Sequence, residues 1–169
     1  SEVYFPNGLK ALSERCHALG LKFGLHLMRG IPRKAYEMDL PIKGTRYTAR
    51  DIANTSPDEN CNWCHYCYAV DMGKPGAQEW YDGLIEHIAS IGLDMTKYDD
   101  IVAHPDEVEA VAKAIAKTGK PILLSLSPGN TIDPDAIDFF RMGNMVRVTP
   151  DVWDEQKYID LCFDAWRKW

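Results

Sequence analysis

The chain has 169 residues and a net charge of −6, and 46% of its residues are apolar and 26% charged. This composition is typical of a globular domain and excludes a disordered, collagen-like or coiled-coil protein. The acidic balance, without a basic block, gives no source of affinity for nucleic-acid phosphates. No apolar run reaches the roughly 18 residues that a membrane span requires.

One local pattern occurs four times: an amphipathic segment, a glycine, and a short strand-like run. Apolar residues at i, i+3, i+4 and i+7 predict each helix, and a left-handed glycine commonly follows a helix end. The helices are predicted over 9–19, 80–88, 108–115 and 136–140, the glycines are Gly20, Gly92, Gly119 and Gly143, and the strands are 21–27, 93–99, 121–127 and 145–149. Pro105 and the pair Asp133 and Pro134 mark helix starts. A last helix is predicted after Asp154.

The order α-β-α-β-α-β-α-β-α predicts an α/β fold with parallel strands joined by right-handed crossovers. A complete (β/α)8 barrel needs eight strands and about 250 residues, so four strands form either a small open sheet or part of a barrel. Between about 28 and 76 a polar, turn-rich stretch interrupts the alternation and predicts a long loop insertion, a type of segment that is often functional. We therefore expect one domain over residues 1–169 that carries this insertion.

Charged residues stand at the carboxyl ends of two predicted strands, where α/β proteins bind ligands. Residues two apart on a strand share a face, so Lys97 points the same way as Asp99, and Arg147 the same way as Thr149 and Asp151. A neighbouring cation keeps a carboxylate ionised as nucleophile or base, while a second carboxylate can act as the acid. This division of roles suits glycosidic cleavage. The alternative is two structural ion pairs without chemistry.

Four motifs follow one another in the chain: FPNGL at 5–9, GLKFG at 20–24, GLDMTKYD at 92–99 and RVTPD at 147–151. In this order they resemble glycoside hydrolase family 27, the α-galactosidase or melibiase family, and MRGIPR and PGAQ resemble a bacterial branch of it. The resemblance implies a partial (β/α)8 TIM barrel of about four parallel strands. It also implies retaining, double-displacement hydrolysis of α-galactoside-like substrates without a cofactor or metal.

The same resemblance implies the roles of the charged residues. Asp99 is expected to be the nucleophile and Asp151 the general acid/base. Lys97 and Arg147 are expected to hold sugar hydroxyls and the charge of the nucleophile. A carbohydrate is thus the expected partner, and the parent enzyme is expected to be exported.

The sequence departs from the family pattern in three respects. Ile101 stands where the family commonly has a disulfide-forming cysteine, and SLSPG at 125–129 replaces a Cys-Glu-Trp-type segment that helps select the sugar. The first two and last two barrel strands have no counterpart in these 169 residues. We therefore expect a central fragment of a longer enzyme. Alone, it should be inactive, or it should form a homo-oligomer or swap segments to close its open sheet edges.

Three further residues are candidate substrate contacts, each with a structural alternative. His26 either contacts substrate or fills a layer of the barrel. Trp63 offers a flat apolar ring to a sugar, and its alternative is an ordinary loop position. Asp100 either supports the site or caps the following turn. The tryptophans predicted to pack against other segments are Trp80, Trp153, Trp166 and Trp169.

Cys61, Cys64 and Cys67 form a C-x2-C-x2-C motif with His65 inside it. This spacing can ligate zinc or an iron–sulfur cluster, but the motif lacks the fourth cysteine of a cluster, and no second C-x2-C elsewhere in the sequence completes a zinc site. A metal site, a local disulfide and packed thiols all remain open. The alternative to a hydrolase is therefore a non-catalytic carbohydrate- or metal-binding α/β module. A phosphate-binding open sheet is disfavoured because no glycine-rich loop follows a predicted strand.

Overall fold

The computed structural model describes residues 3–127 and 137–169. Within these ranges the helices are α1 (Gly8–Ala18), α2 (Arg33–Glu37), α3 (Ala49–Ile52), α4 (Ala77–Ser90), α5 (Pro105–Thr118), α6 (Ile137–Phe140) and α7 (Gln156–Lys168), and a 3-10 turn covers Pro57–Glu59. The strands are β1 (Gly24–Met28), β2 (Ile31–Pro32), β3 (Ala53–Asn54), β4 (Cys67–Val70), β5 (Met95–Asp99), β6 (Leu123–Leu126) and β7 (Met145–Val146). The helix start predicted at Asp133 and Pro134 lies outside the described residues, as do Pro128 and Gly129.

The main sheet contains four parallel strands in the spatial order β1-β5-β6-β7. β5 lies between two neighbours, so that Lys97 stands opposite His26 on β1 and opposite Ser125 on β6. The predicted α/β fold with four parallel strands and flanking helices is confirmed, and within the described residues the barrel is not closed.

The two faces of this sheet have different surroundings because successive side chains alternate in direction. Tyr98 and Leu126 are fully buried and belong to the core that also contains Ile85 of α4 and Val108 of α5. The opposite face of β5 carries Lys97, and it corresponds to the inner surface of a barrel. Polar side chains can therefore meet on that face without displacing the apolar core.

Three of the four predicted helix-ending glycines adopt the expected left-handed conformation. Their φ angles are 73° at Gly20, 87° at Gly92 and 65° at Gly119. Gly143 does not have a positive φ. Instead, a Cβ at Gly143 would lie 2.9 Å from Cδ1 of Leu126, so the missing side chain allows the chain to approach β6 closely.

The segment between β1 and α4 folds into a second layer. β2, β4 and β3 form an antiparallel sheet in that spatial order, and α2 and α3 accompany it. Ile31, Ile42 and Ile52 of this layer are buried in the main core. Helices of four or five residues complete too few turns to show a helical repeat, which is why the sequence pattern predicted a loop over about 28–76.

The fourth parallel strand is shorter than predicted, since β7 ends at Val146. Arg147 still donates its N–H to the Leu126 carbonyl at 3.0 Å. Pro150 has no N–H to continue the ladder. Strand alternation therefore does not determine where the Asp151 side chain points.

The predicted C-terminal helix is present as α7, but much of its apolar surface has no cover in the described structure. Leu161, Phe163 and Trp166 are all exposed. Trp80, by contrast, packs against the core as predicted. Among the helices in the described ranges, none combines the length and apolar character needed to cross a membrane.

Candidate active site

A cavity of about 330 Å³ lies where β5 and β7 end. Its lining residues are Trp63, Asp99, Arg147, Pro150, Asp151, Trp153 and Tyr158. This cavity thus brings together four residues predicted from the sequence, which come from three separate segments of the chain. They are the predicted catalytic carboxylates Asp99 and Asp151, the cation Arg147 and the stacking residue Trp63.

Asp99 is the last residue of β5, and its side chain is 11% exposed. Lys97 donates from Nζ to Oδ2 of Asp99 at 2.8 Å, which is the contact that strand alternation predicts. Nε2 of His26 lies 3.1 Å from the same Oδ2, and the Asp100 N–H donates to Oδ1 at 3.2 Å. Both oxygens of this carboxylate therefore have partners from the chain.

These contacts determine the charge of Asp99. Burial by itself would raise the pKa of this carboxyl. The hydrogen bond and positive charge of Lys97 outweigh burial, and the Asp100 amide and His26 act in the same direction, so the pKa of Asp99 lies below its ordinary value. Asp99 is ionised at neutral pH, as a carboxylate nucleophile must be.

Asp151 reaches the cavity from the segment after β7, and its side chain is 58% exposed. Arg147 donates from Nη1 to Oδ1 of Asp151. The family resemblance implied that Arg147 would hold the charge of the nucleophile, whereas its carboxylate partner in this structure is Asp151. The cavity thus contains one enclosed and one solvent-accessible carboxylate.

Asp100 turns away from Asp99. Its φ of 60° is left-handed, and its Oδ2 accepts a hydrogen bond from Arg29 Nε at 3.0 Å. Burial raises the pKa of Asp100, and the charge of Arg29 offsets only part of that effect. The cavity is lined without Asp100, so the geometry favours a supporting role over a direct substrate contact.

Three aromatic side chains stand around the cavity, and all offer flat apolar surfaces. Trp63 occupies the position suggested from the sequence and is exposed. Trp153 was expected to be packing surface, but it lines the cavity, as does Tyr158 of α7. Both lie within seven residues of Asp151, and this proximity is the signal by which the sequence could have indicated them.

A buried charge cluster lies behind Asp99, and sequence analysis assigned no role to it. Arg29 follows β1 directly and is only 4% exposed. Its Nη1 donates to Oε1 of Glu107 at 2.9 Å, and Oε2 of Glu107 accepts the Tyr81 hydroxyl hydrogen. Burial raises the pKa of Glu107, with Arg29 and Tyr81 offsetting it in part.

The three clustered cysteines are free thiols in this structure, as are the other two cysteines. Burial and the neighbouring Cys64 raise the pKa of Cys67 to about 11, and burial also raises that of Cys61. Over 3–127 and 137–169, no three His, Cys, Asp or Glu side chains are grouped so as to hold a metal ion.

Comparison with known proteins identifies relatives of one kind. A GH27 β-L-arabinopyranosidase structure from Geobacillus stearothermophilus superposes with a TM-score of 0.88 at 44% identity and covers 96% of this chain and 38% of its own. A candidate α-N-acetylgalactosaminidase from Bacillus halodurans superposes with a TM-score of 0.81 at 36% identity over all of this chain and 40% of its own. Alpha-galactosidase 3 of Hypocrea jecorina is 31% identical over 132 residues, which are 70% of this chain and 20% of that enzyme. No protein-family model matches.

The fold is an open α/β segment with four parallel strands, and the structures it superposes on are those of TIM-barrel glycosidases. The resemblance to glycoside hydrolase family 27 that was drawn from the motifs is confirmed, because these relatives are enzymes of that kind and cover between 70% and all of this chain. The chain spans between a fifth and two fifths of the length of these relatives, which agrees with the expectation of a barrel fragment.

Proposed function

We propose that this chain carries the nucleophile and the general acid/base of a retaining glycoside hydrolase that acts on α-galactosides or closely related pyranosides. One observation supports this most directly: an ionised Asp99 at the end of β5 and an accessible Asp151 in the segment after β7 line the same cavity. The retaining mechanism requires two carboxyl groups about 5–5.5 Å apart across the scissile bond.

The first step forms a bond between an oxygen of Asp99 and the anomeric carbon. The bond from that carbon to the leaving oxygen breaks, and Asp151 gives its proton to the leaving oxygen. In the second step Asp151 takes a proton from water, the water oxygen attacks the anomeric carbon, and the Asp99 carboxylate leaves. Two inversions give net retention of configuration.

Lys97 and His26 hold Asp99 in this scheme from the inner face of the sheet. Arg147 is close enough to Asp151 to orient it for the second step, and its remaining donors are available to sugar hydroxyls. Trp63 offers its exposed ring to the pyranose. Each of these side chains acts by position and charge, without a cofactor.

The substrate class follows from the relatives, whose names include α-galactosidase and β-L-arabinopyranosidase. β-L-Arabinopyranose has the ring configuration of α-galactose and lacks its exocyclic CH2OH group. A site that accepts the ring hydroxyls of one sugar therefore accepts those of the other, and the two differ at a single exocyclic position.

The test uses the protein expressed from its native reading frame, with whatever sequence flanks these residues. Hydrolysis of aryl α-galactosides and aryl β-L-arabinopyranosides is followed by proton NMR, and the first product formed should keep the anomeric configuration of the substrate. Asp99→Asn should lower turnover by about 10³-fold or more, since it removes the nucleophile.

Asp138→Asn is the matched control, because Asp138 is an exposed carboxylate whose cationic partner, Arg141, lies three residues further along the chain. It should retain full turnover. An inverted first product, or an active Asp99→Asn variant, contradicts the proposal. Sugar binding without turnover would instead indicate a carbohydrate-binding module.

We further propose that the 169 residues alone are inactive or associate through their open sheet edges. β1 and β7 each have one strand neighbour among the described residues, and unpaired strand edges favour association. Gel filtration of the isolated chain, combined with the hydrolysis assay, tests this. A clean monomer with full turnover would refute it.

A further inference from the structure

Arg29 follows β1 directly and connects the end of that strand to three other parts of the molecule. Its Nε donates to the Asp100 carbonyl oxygen at 2.7 Å and to Asp100 Oδ2 at 3.0 Å, at the end of β5. Its Nη1 donates to Glu107 in the first turn of α5, and its Nη2 donates to the Glu59 carbonyl at 2.5 Å. All three guanidinium nitrogens are thus used, and the side chain is almost wholly buried.

The contacts at Asp100 affect the proposed nucleophile directly. Asp100 has a left-handed backbone, which is unfavourable for a residue with a side chain and is found at sites where the surrounding structure holds it. In this conformation the Asp100 N–H donates to Oδ1 of Asp99. Because Arg29 binds both the carbonyl and the carboxylate of Asp100, it holds the peptide that orients Asp99.

The contact at Glu59 affects the cavity wall. Glu59 ends the 3-10 turn that precedes Trp63, and Trp63 lines the cavity beside Asp99. One side chain therefore holds both the nucleophile and the segment that carries the aromatic wall. The cation is itself fixed by Glu107, whose second oxygen accepts the Tyr81 hydroxyl hydrogen.

We infer that Arg29 is a positioning residue for the reaction: it acts on Asp99 through the left-handed Asp100 peptide, and on Trp63 through the Glu59 carbonyl. The inference rests on the proposed function, because it takes Asp99 as the nucleophile. Arginine is required at this position since its planar fork presents separate donors in fixed directions, whereas lysine offers a single nitrogen. Arg29 does not line the cavity, and it reaches Asp99 through one residue, Asp100, whereas Trp63 lies four residues beyond Glu59. The larger effect is therefore expected on the rate of the covalent step, and only a small one on sugar binding.

The test measures the covalent step in the protein expressed from its native reading frame. An activated fluorosugar of the preferred substrate traps the glycosyl-enzyme, and peptide mass spectrometry locates the label. The final labelled fraction reports how much protein is correctly folded. The rate constant at saturating reagent reports how well Asp99 is positioned, and the half-saturation concentration reports binding.

Arg29→Lys should label Asp99 about 10- to 100-fold more slowly at saturation, since small displacements of reacting groups have effects of this size. The final labelled fraction and the half-saturation concentration should stay within about twofold of wild type, which a merely destabilised protein would not show. Arg50→Lys is the matched control. Arg50 also donates to two backbone carbonyls, those of Tyr36 and Glu37, but it is exposed, and its labelling rate should not change.

A second pair of variants covers the case in which Arg29→Lys does not fold, because the single lysine nitrogen cannot reach all the buried acceptors that Arg29 binds. Arg29→Met combined with Glu107→Gln removes both charges, and the glutamine oxygen can still accept the Tyr81 hydroxyl hydrogen. This double variant should label slowly. Glu107→Gln alone keeps the Arg29 contacts to Asp100 and Glu59 and should label faster than the double variant.

Three outcomes overturn the inference. The first is a wild-type labelling rate in either Arg29 variant, with Asp99 still the labelled residue; the proposed function then stands. The second is an unchanged rate constant with a higher half-saturation concentration, which would make Arg29 a binding residue. The third is a label on a residue other than Asp99, which overturns the proposed function as well.

Discussion

The two carboxylates of the cavity occupy opposite kinds of environment. Asp99 ends an interior strand, is nearly enclosed, and accepts from Lys97 and a backbone amide with His26 at its side. Asp151 lies beyond an edge strand, is more than half exposed, and has Arg147 as its cationic partner. The chain thus encloses the proposed nucleophile with its own segments, whereas the side of the cavity with the proposed general acid/base is open.

The difference follows from the position of the strands. β5 is paired on both sides, and the cluster of Arg29 and Glu107 supports its carboxyl end. β7 has β6 as its one neighbour in the described structure and contributes two residues. A side chain at an interior strand end can be held by three or four contacts, whereas one beyond an edge strand depends on whatever covers that edge.

The largest expected effect concerns Asp151, where activity and stability should separate. Asp151→Ala should lower kcat/KM for a substrate with a poor leaving group by about 10²- to 10⁴-fold, the usual contribution of a general acid/base. An activated aryl substrate should lose less, because its leaving group needs no proton. The free energy of unfolding should change by no more than about 0.5 kcal/mol, because the side chain is exposed. Equal losses of kcat/KM for the two substrates would show that Asp151 is not the general acid.

An intermediate effect is expected on the Asp99 side, where a single methyl group should destabilise the fold. A Cβ at Gly30 would lie 2.1 Å from the Tyr68 carbonyl oxygen, and the φ of Gly30 is 92°. Gly30→Ala should therefore lower the free energy of unfolding by about 2–4 kcal/mol, since steric overlap adds to backbone strain.

Gly44→Ala is the matched control for this change, because Gly44 also has a positive φ, 77°, but has nothing within 4 Å of the added Cβ. Gly44→Ala should lower the free energy of unfolding by only about 1–2 kcal/mol, which is the cost of a left-handed backbone at a residue with a side chain. Denaturant unfolding of both variants measures the difference. Equal losses would show that the end of β1 is not tightly packed.

The smallest effect is a pH dependence at His104, which begins α5 beside the Arg29 cluster. Burial, followed by the charge of Arg29, lowers the pKa of His104 to about 4, against about 6.5 in the unfolded chain. The unfolded state therefore binds more protons between these values, and the free energy of unfolding falls as pH drops from about 6.5 to 4. His104→Asn removes this contribution. Between pH 6.5 and 4 the free energy of unfolding of wild type should therefore fall by about 1–2 kcal/mol more than that of the variant, a value reduced because His104 is partly exposed to solvent.

The comparison with His104→Asn is needed because other groups titrate in the opposite direction. Burial raises the pKa values of Asp100 and Glu107, so their contribution to stability decreases as pH rises. Urea unfolding of both proteins at several pH values isolates the His104 contribution. Parallel stability curves for the two proteins would show that His104 is not buried beside Arg29.

Much of the fold could be predicted because its signals are local. Helical spacing gave α1, α4, α5 and α7 to within a few residues, and alternation placed Lys97 beside Asp99. The layer between β1 and α4 could not be predicted, because its short elements show no complete period. Beyond β7 the strand is shorter than predicted, although Arg147 and Asp151 do meet as alternation had suggested.

The amino-acid sequence by itself determined the α/β alternation, the contact of Lys97 with Asp99, and the resemblance to glycoside hydrolase family 27. Only the tertiary structure decided that Asp100 turns to Arg29 and that Trp153 lines the cavity. The physical reason is range: periodic patterns arise among residues a few positions apart, whereas Arg29 meets Asp100 and Glu107 across 71 and 78 positions. Contacts of that kind depend on how the elements pack, which no local repeat records.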